Sequence, residues 1–289
     1  MILEKFNKLK LISPPDWLLS NCHFIANAGS YAYGTNTEES DIDLFGFVTP
    51  PLQYIFSHLH GYLDGFGTPP PRFNRWEQSH IMFEGKEYDF SILNIVDFVN
   101  LCFKNNPDQL DILFVNRENI RHITSTGELI RHNRHKFLSK RIFWRYRGYA
   151  MSQLNKSEKE NPIGKRKANR DKFGYDTKFL SHLYRLVLEC EQMLAEGDLD
   201  LTRHKEKLIN VKNGGSSLEE AKRWFAEKER YLEKLLETTK LPENPDEEEI
   251  KALLLKALEN HYGSLDKCIK NTSNELKDIL KIKEIVRNY

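Results

Sequence analysis

Phe24-Ile25-Ala26-Asn27-Ala28-Gly29-Ser30, followed ten residues later by Asp41-Ile42-Asp43-Leu44-Phe45-Gly46-Phe47-Val48, decides the fold. Phe24 to Ala28 is a short apolar run closed by a glycine, the pattern of a buried strand. Asp41 to Val48 alternates polar and apolar residues at its start and stops at Pro50-Pro51, which reads as a second strand. Side chains along a strand alternate faces, so Asp41 and Asp43 share one face while Ile42 and Leu44 turn to the core. Two carboxylates side by side repel unless a cation sits between them, and such hard oxygen donors suit Mg²⁺ or Mn²⁺ better than zinc. Gly29 permits a close backbone approach and Ser30 adds a hydroxyl; both can hold phosphate oxygens. A third carboxylate on a neighbouring strand would complete a two-metal site for in-line phosphoryl chemistry. Asp89 fills that position, inside an expected strand from His80 to Ile92. Glu87, two positions earlier on the same face, is the fallback. Asp-x-Asp alone is most often a solvated pair and Gly-Ser alone a turn; the specificity lies in the ordered set.

Outward from this core, residues 51–79 contain Gly61, Gly65, Gly67 and Pro69-Pro70-Pro71 and read as a long loop or flap. Ile95, Phe98, Val99 and Phe103 have helical spacing, and that helix stops before Asn106-Pro107. From about residue 120 the chain turns helical. A long helix is expected over Phe173–Ala195, closed by Gly197 as C-cap. Ser217-Leu218-Glu219-Glu220 has capping-box spacing, and Asn244-Pro245-Asp246-Glu247 opens another helix. The last forty residues read as Lys/Glu-rich amphipathic helix. The expected architecture is α+β: a small mixed β-sheet flanked by helices over residues 1–120, carrying the carboxylates, then a helical domain over 121–289 with a basic face.

Composition agrees with a folded chain. The 289 residues are 39% hydrophobic and 29% charged, a soluble globular balance rather than a disordered or fibrous one. No apolar run approaches a membrane span, and Met1-Ile2-Leu3-Glu4-Lys5 does not open a signal peptide, so a cytoplasmic protein is expected. Cys22, Cys102, Cys190 and Cys268 are scattered and read as reduced thiols. His58 and His60, like His132 and His135, have no third ligand nearby in sequence and read as ordinary histidines.

The net charge of +1 conceals an asymmetry. Residues 1–100 hold 6 Lys+Arg against 12 Asp+Glu, whereas residues 134–185 hold 15 against 4. An acidic first third followed by a basic segment suggests a carboxylate site facing an anion-binding surface. Lys178, His182 and Arg185 are spaced i, i+4, i+7 and share one helix face, which could clamp phosphates. Lys165-Arg166-Lys167 follows Asn161-Pro162 and Gly164 and reads as a loop. Arg141, Arg145 and Arg147 interleave with Phe143, Trp144, Tyr146 and Tyr149. Basic residues among aromatics suit single-stranded nucleic acid, although the same aromatics also fit a helix core.

At these residues the chain resembles the DNA polymerase β-like nucleotidyltransferase superfamily, whose hallmark is Gly-Ser followed by Asp-x-Asp on adjacent strands. More narrowly, it resembles the nucleotidyltransferases associated with RNA-repair operons in phages and bacteria. The resembling stretches are Ala28–Asn36, Ser40–Gly46, Asn106–Phe114, Gly148-Tyr149-Ala150 and Lys178–Leu186. The resemblance implies transfer of a nucleoside monophosphate from an NTP, ATP among the candidates, to an acceptor hydroxyl with release of pyrophosphate. It implies two Mg²⁺ or Mn²⁺ ions on Asp41, Asp43 and Asp89, and an NTP held by Gly29 and Ser30, with Lys178, His182 and Arg185 alongside. The acceptor expected is an RNA 3′ end such as that of a damaged tRNA. A protein or small-molecule hydroxyl is the alternative, and a catalytically inactive nucleotide- or RNA-binding scaffold a third. Which NTP is used, whether a template is read and how many copies assemble are not encoded in a short motif.

Overall fold

The computed structural model describes residues 1–55, 72–159 and 165–263. His58 and His60, the Gly/Pro-rich stretch through Pro71, Asn161 to Gly164, Cys268 and the tail from residue 264 lie outside the described residues. The architecture is α+β. Five strands form one mixed sheet: β1 (Cys22–Asn27), β2 (Ile42–Val48), β3 (Arg75–Phe83), β4 (Lys86–Asn94) and β5 (Ile120–Ile123). Their spatial order is β3-β4-β2-β1-β5. β2 and β4 are parallel, and the other three pairings are antiparallel. Strand β1 is buried along its whole length, as its unbroken apolar run requires.

The period-2 rule sorts the two faces. Leu44 and Val48 of β2, Ile25 of β1, and Phe90 and Ile92 of β4 pack with Leu3 and Phe6 of the N-terminal helix. Phe24 and Ala26 of β1 and Phe47 of β2 face the other way. Their apolar cluster continues through the Ile95–Phe103 and Pro107–Phe114 helices and the Thr177–Glu196 helix to Ala257. By the same alternation Asp43 and Asp89 lie on this second face of the sheet, the one these later helices cover.

Several boundaries differ from the sequence reading. The segment expected as one strand from His80 is a hairpin of β3 and β4, turned at Glu84-Gly85. Residues 51–79 are not all loop, since Leu52–Ile55 is helical and β3 begins at Arg75. The long helix starts at Thr177 rather than Phe173: Gly174 has φ +82, and the Asp176 side chain accepts from the backbone N–H of Lys178 and Phe179. Gly197 closes it at φ +67. Ser217 and Glu220 form the expected capping box, and Asp246 caps Glu247–Tyr262. Lys165-Arg166-Lys167 is not a loop but the first turn of the Lys165–Phe173 helix; Lys and Arg are good helix formers that Pro162 and Gly164 do not overrule. No helix among the described residues is long and apolar enough to cross a membrane.

Candidate active site

The parallel register of β2 and β4 sets Asp43 directly opposite Asp89, and Asp41 lies one residue before the first ladder pair, Ile42–Tyr88. Gly29 opens the Gly29–Ala32 turn of helix with φ +55, and the Ala28 N–H donates to the Asp43 carbonyl at 2.8 Å. A Cβ on Gly29 would stand 2.3 Å from Asp43 Oδ2. Glycine is therefore required twice here, by the left-handed backbone and by the carboxylate pressed against it. Burial pushes the Asp43 carboxyl above its ordinary range, and Asp89 adds to the shift; Lys178 opposes it and Asp41 reinforces it.

Asp89 is held from its own hairpin. A register shift between Gln78 and Ile81 leaves His80 at φ +59, and its N–H donates to Asp89 Oδ1 at 2.8 Å. The His80 ring is bonded to Glu87. His80, Glu87 and Asp89 offer donor atoms all within 4.8 Å of one another. Asp89 and Asp41 both act electrostatically on the Asp43 carboxyl, and hard oxygen donors of this kind suit a divalent cation, but the donor atoms that lie within 4.8 Å of one another are those of His80, Glu87 and Asp89 rather than of the three aspartates.

Two cavities meet at this site, both lined by Gly29, Tyr33, Asp43, His182 and Arg185. The first, about 430 Å³, adds Ser30, Asp41, Lys178 and Lys212. The second, about 340 Å³, adds Phe45, Asp108, Asp111, Tyr149 and Phe179. Lys178, His182 and Arg185 thus share one wall, but their charges are not equivalent. Arg185 is buried, bonded to Asp111, 2.8 Å from the Tyr33 hydroxyl and 3.2 Å from Glu189. Two buried carboxyl groups and a hydroxyl engage its guanidinium, so it is not free to hold a phosphate. Lys178 and Lys212 are in no ion pair among the described residues. Burial lowers the Lys212 ammonium pKa, and the Lys178 charge adds to that.

The remaining basic residues divide in the same way. On the Arg141–Lys159 helix, Arg147 is paired with Glu229, Arg141 is half-buried with its guanidinium 5.9 Å from the Phe103 ring centre, and Arg145 is exposed. Phe143 and Tyr146 belong to the core, whereas Trp144 and Tyr149 are exposed. Lys167 is exposed on the Lys165–Phe173 helix, which also carries Lys165 and Arg166.

The sequence profile of RlaP, the RNA repair pathway DNA polymerase beta family, matches residues 19–256. The chain belongs to this family. The match takes in the sheet, Gly29-Ser30, all three aspartates and the helices that close the cavities. No curated protein sequence matches the chain. Among solved structures it is similar to a nucleotidyltransferase-like protein from Exiguobacterium sibiricum, 8% identical over 81% of this chain and 73% of that one, at a TM-score of 0.28.

Within this RlaP family member, sequence reading passed over Lys212, Tyr33 and Asp111. Tyr33 and Asp111 fall inside the stretches that carry the resemblance, and both are buried polar side chains within largely apolar surroundings. Lys212 has no such signal; only the packing of its helix, Lys205–Lys212, against Thr177–Glu196 brings it to the cavity.

Proposed function

We propose that this family member transfers a nucleoside monophosphate from an NTP to the 3′ hydroxyl of an RNA, releasing pyrophosphate. The observation that carries the reading is the Asp43–Asp89 pairing across β2 and β4, with Gly29 against the Asp43 carboxylate. Asp41, Asp43 and Asp89 would hold two divalent ions, Mg²⁺ or Mn²⁺, which supply charge neutralisation at the transferred phosphate and the leaving pyrophosphate. Ser30, Lys178 and Lys212 line the larger cavity and bind the triphosphate, with His182 beside them. The acceptor oxygen bonds to the α-phosphorus as the bond to the bridging oxygen of the pyrophosphate breaks. Asp89 receives the hydroxyl proton, its other oxygen being held by the His80 N–H.

The test is transfer from each α-labelled NTP, with Mg²⁺ or Mn²⁺, into intact tRNA, nicked tRNA and total protein. Label in RNA that disappears in an Asp41→Ala/Asp43→Ala variant supports the reading and names the donor. Label in protein replaces the acceptor and keeps the chemistry. Absence of transfer, together with no calorimetric binding of an NTP–metal complex by folded protein, overturns it in favour of a scaffold.

A further inference from the structure

The exposed face of the Arg141–Lys159 helix carries a feature that folding does not require. Gly148 lies in the middle of this helix, where glycine costs about 1 kcal/mol relative to alanine. Its backbone is not left-handed, and a Cβ there would meet nothing within 4 Å. Neither backbone conformation nor packing asks for glycine at this position. Its neighbours one turn away are Trp144 and Arg145 on one side and Met151 and Ser152 on the other, all exposed. The missing side chain therefore leaves open space on the exposed face, one turn along the helix from Trp144. That ring is 63% exposed, yet it is braced edge-on by buried Phe143, with centroids 4.8 Å apart. From Arg141 to Ser157 the helix has no carboxylate, while Arg141 and Arg145 lie on the Gly148 side.

We infer that Trp144 and the gap at Gly148 form a stacking slot for single-stranded RNA, the acceptor strand of the reaction proposed above, on which this inference rests. A flat exposed aromatic beside an open gap suits a nucleobase, and the cations beside it suit the flanking phosphates. The same helix reaches the site. Tyr149, the next residue after Gly148, is itself exposed, lines the cavity that contains Asp43, and accepts from Asn106 Nδ2 at 3.3 Å. Trp144 and Tyr149 are separated by about 7.5 Å along the helix axis and about 140° around it, on the two flanks of the exposed face, so a strand bound at both crosses that face at Gly148. A protein partner fits less well, because beside Trp144, Tyr149 and Met151 this face carries Arg145, which is in no ion pair among the described residues, and no carboxylate.

The experiment measures binding of a fluorescent 12-nucleotide single-stranded RNA to the full chain by anisotropy over a range of salt. Trp144→Ala is expected to weaken binding about tenfold, with Trp144→Phe restoring most of it. Gly148→Ala is the decisive variant. It should raise or preserve thermal stability, since alanine favours the helix, and still weaken binding several-fold by filling the gap. Arg145→Gln should lower the slope of log affinity against log salt by about 1. Wild-type affinity in both Trp144→Ala and Gly148→Ala, or duplex RNA bound as tightly as single strand, overturns the slot. If the wild-type protein transfers nucleotide to RNA in that case, the transferase reading survives. RNA held through Trp144 by a protein that transfers nothing upholds the slot and removes the transferase reading alone.

Discussion

At Asp43 a strand position, a glycine and a second carboxylate meet, and each can be changed separately. Gly29 gives the most informative substitution. Gly29→Ala places a methyl 2.3 Å from Asp43 Oδ2 at a backbone φ of +55, so the carboxylate must swing aside and the backbone is strained by about 1–2 kcal/mol. A misplacement near 1 Å at reacting groups costs about 100-fold in rate. The expected outcome is a folded protein whose nucleotidyl transfer falls by that order and whose Mn²⁺ titration shows weakened binding. Unchanged Mn²⁺ affinity and rate would mean that Asp43 is not positioned by this contact. The strand placement of Asp41 and Asp43 was legible because a strand's period of two and the preceding Gly-Ser are local signals, whereas Asp89 was placed only by its position in a later expected strand. Beyond Glu189, one turn on in the same helix, what engages Arg185 was not legible, because Asp111 and Tyr33 lie 74 and 152 positions away.

At the scale of elements, the sequence announces starts and stops best where a side chain bonds its own backbone. Ser217 accepts from the Glu220 N–H while Glu220 accepts from the Ser217 N–H, as the S-x-x-E spacing dictates. Ser217→Ala should therefore cost about 1 kcal/mol, read as a lower urea midpoint with an unchanged slope and no effect on the sheet. A changed slope would point to a wider loosening of the native state. The hairpin β3–β4 was harder to read, because its turn at Glu84-Gly85 interrupts a stretch rich in strand formers. Its bulge near His80 has no sequence signature at all. That bulge shapes the proposed site, since it aims the His80 N–H at Asp89. The Lys165–Phe173 helix was missed because Pro and Gly just upstream mimic a loop, although both can also precede a helix.

For the whole molecule, a buried polar cluster joins the sheet-bearing half to the helices alongside the shared apolar core. Arg185 and Glu189 on the Thr177–Glu196 helix meet Tyr33 and Asp111 from the first 115 residues, with every member buried. The Arg185 guanidinium also lies 4.6 Å from the Tyr33 ring centre. Burial pushes the Asp111 carboxyl up to about 6 and Glu189 well above its ordinary value, even with the Arg185 charge opposing both. Removing that charge in Arg185→Met leaves two buried carboxyls uncompensated, and breaking such a pair costs about 3–5 kcal/mol near neutral pH. The pH dependence has a definite sign. Without Arg185 both carboxyls have folded-state pKa values raised further above their unfolded ones, so the folded variant binds more protons than the unfolded chain at neutral pH. Its stability should therefore be least impaired at acid pH, where the carboxyls are protonated in both states, and should decline as pH rises through the raised values. Urea unfolding of wild type and Arg185→Met at pH 5 and pH 8 checks this: the gap in stability must be larger at pH 8. A gap that is equal at both pH values, or larger at pH 5, would show that Arg185 supports the fold through packing against Tyr33 rather than through its charge on the two buried carboxyls.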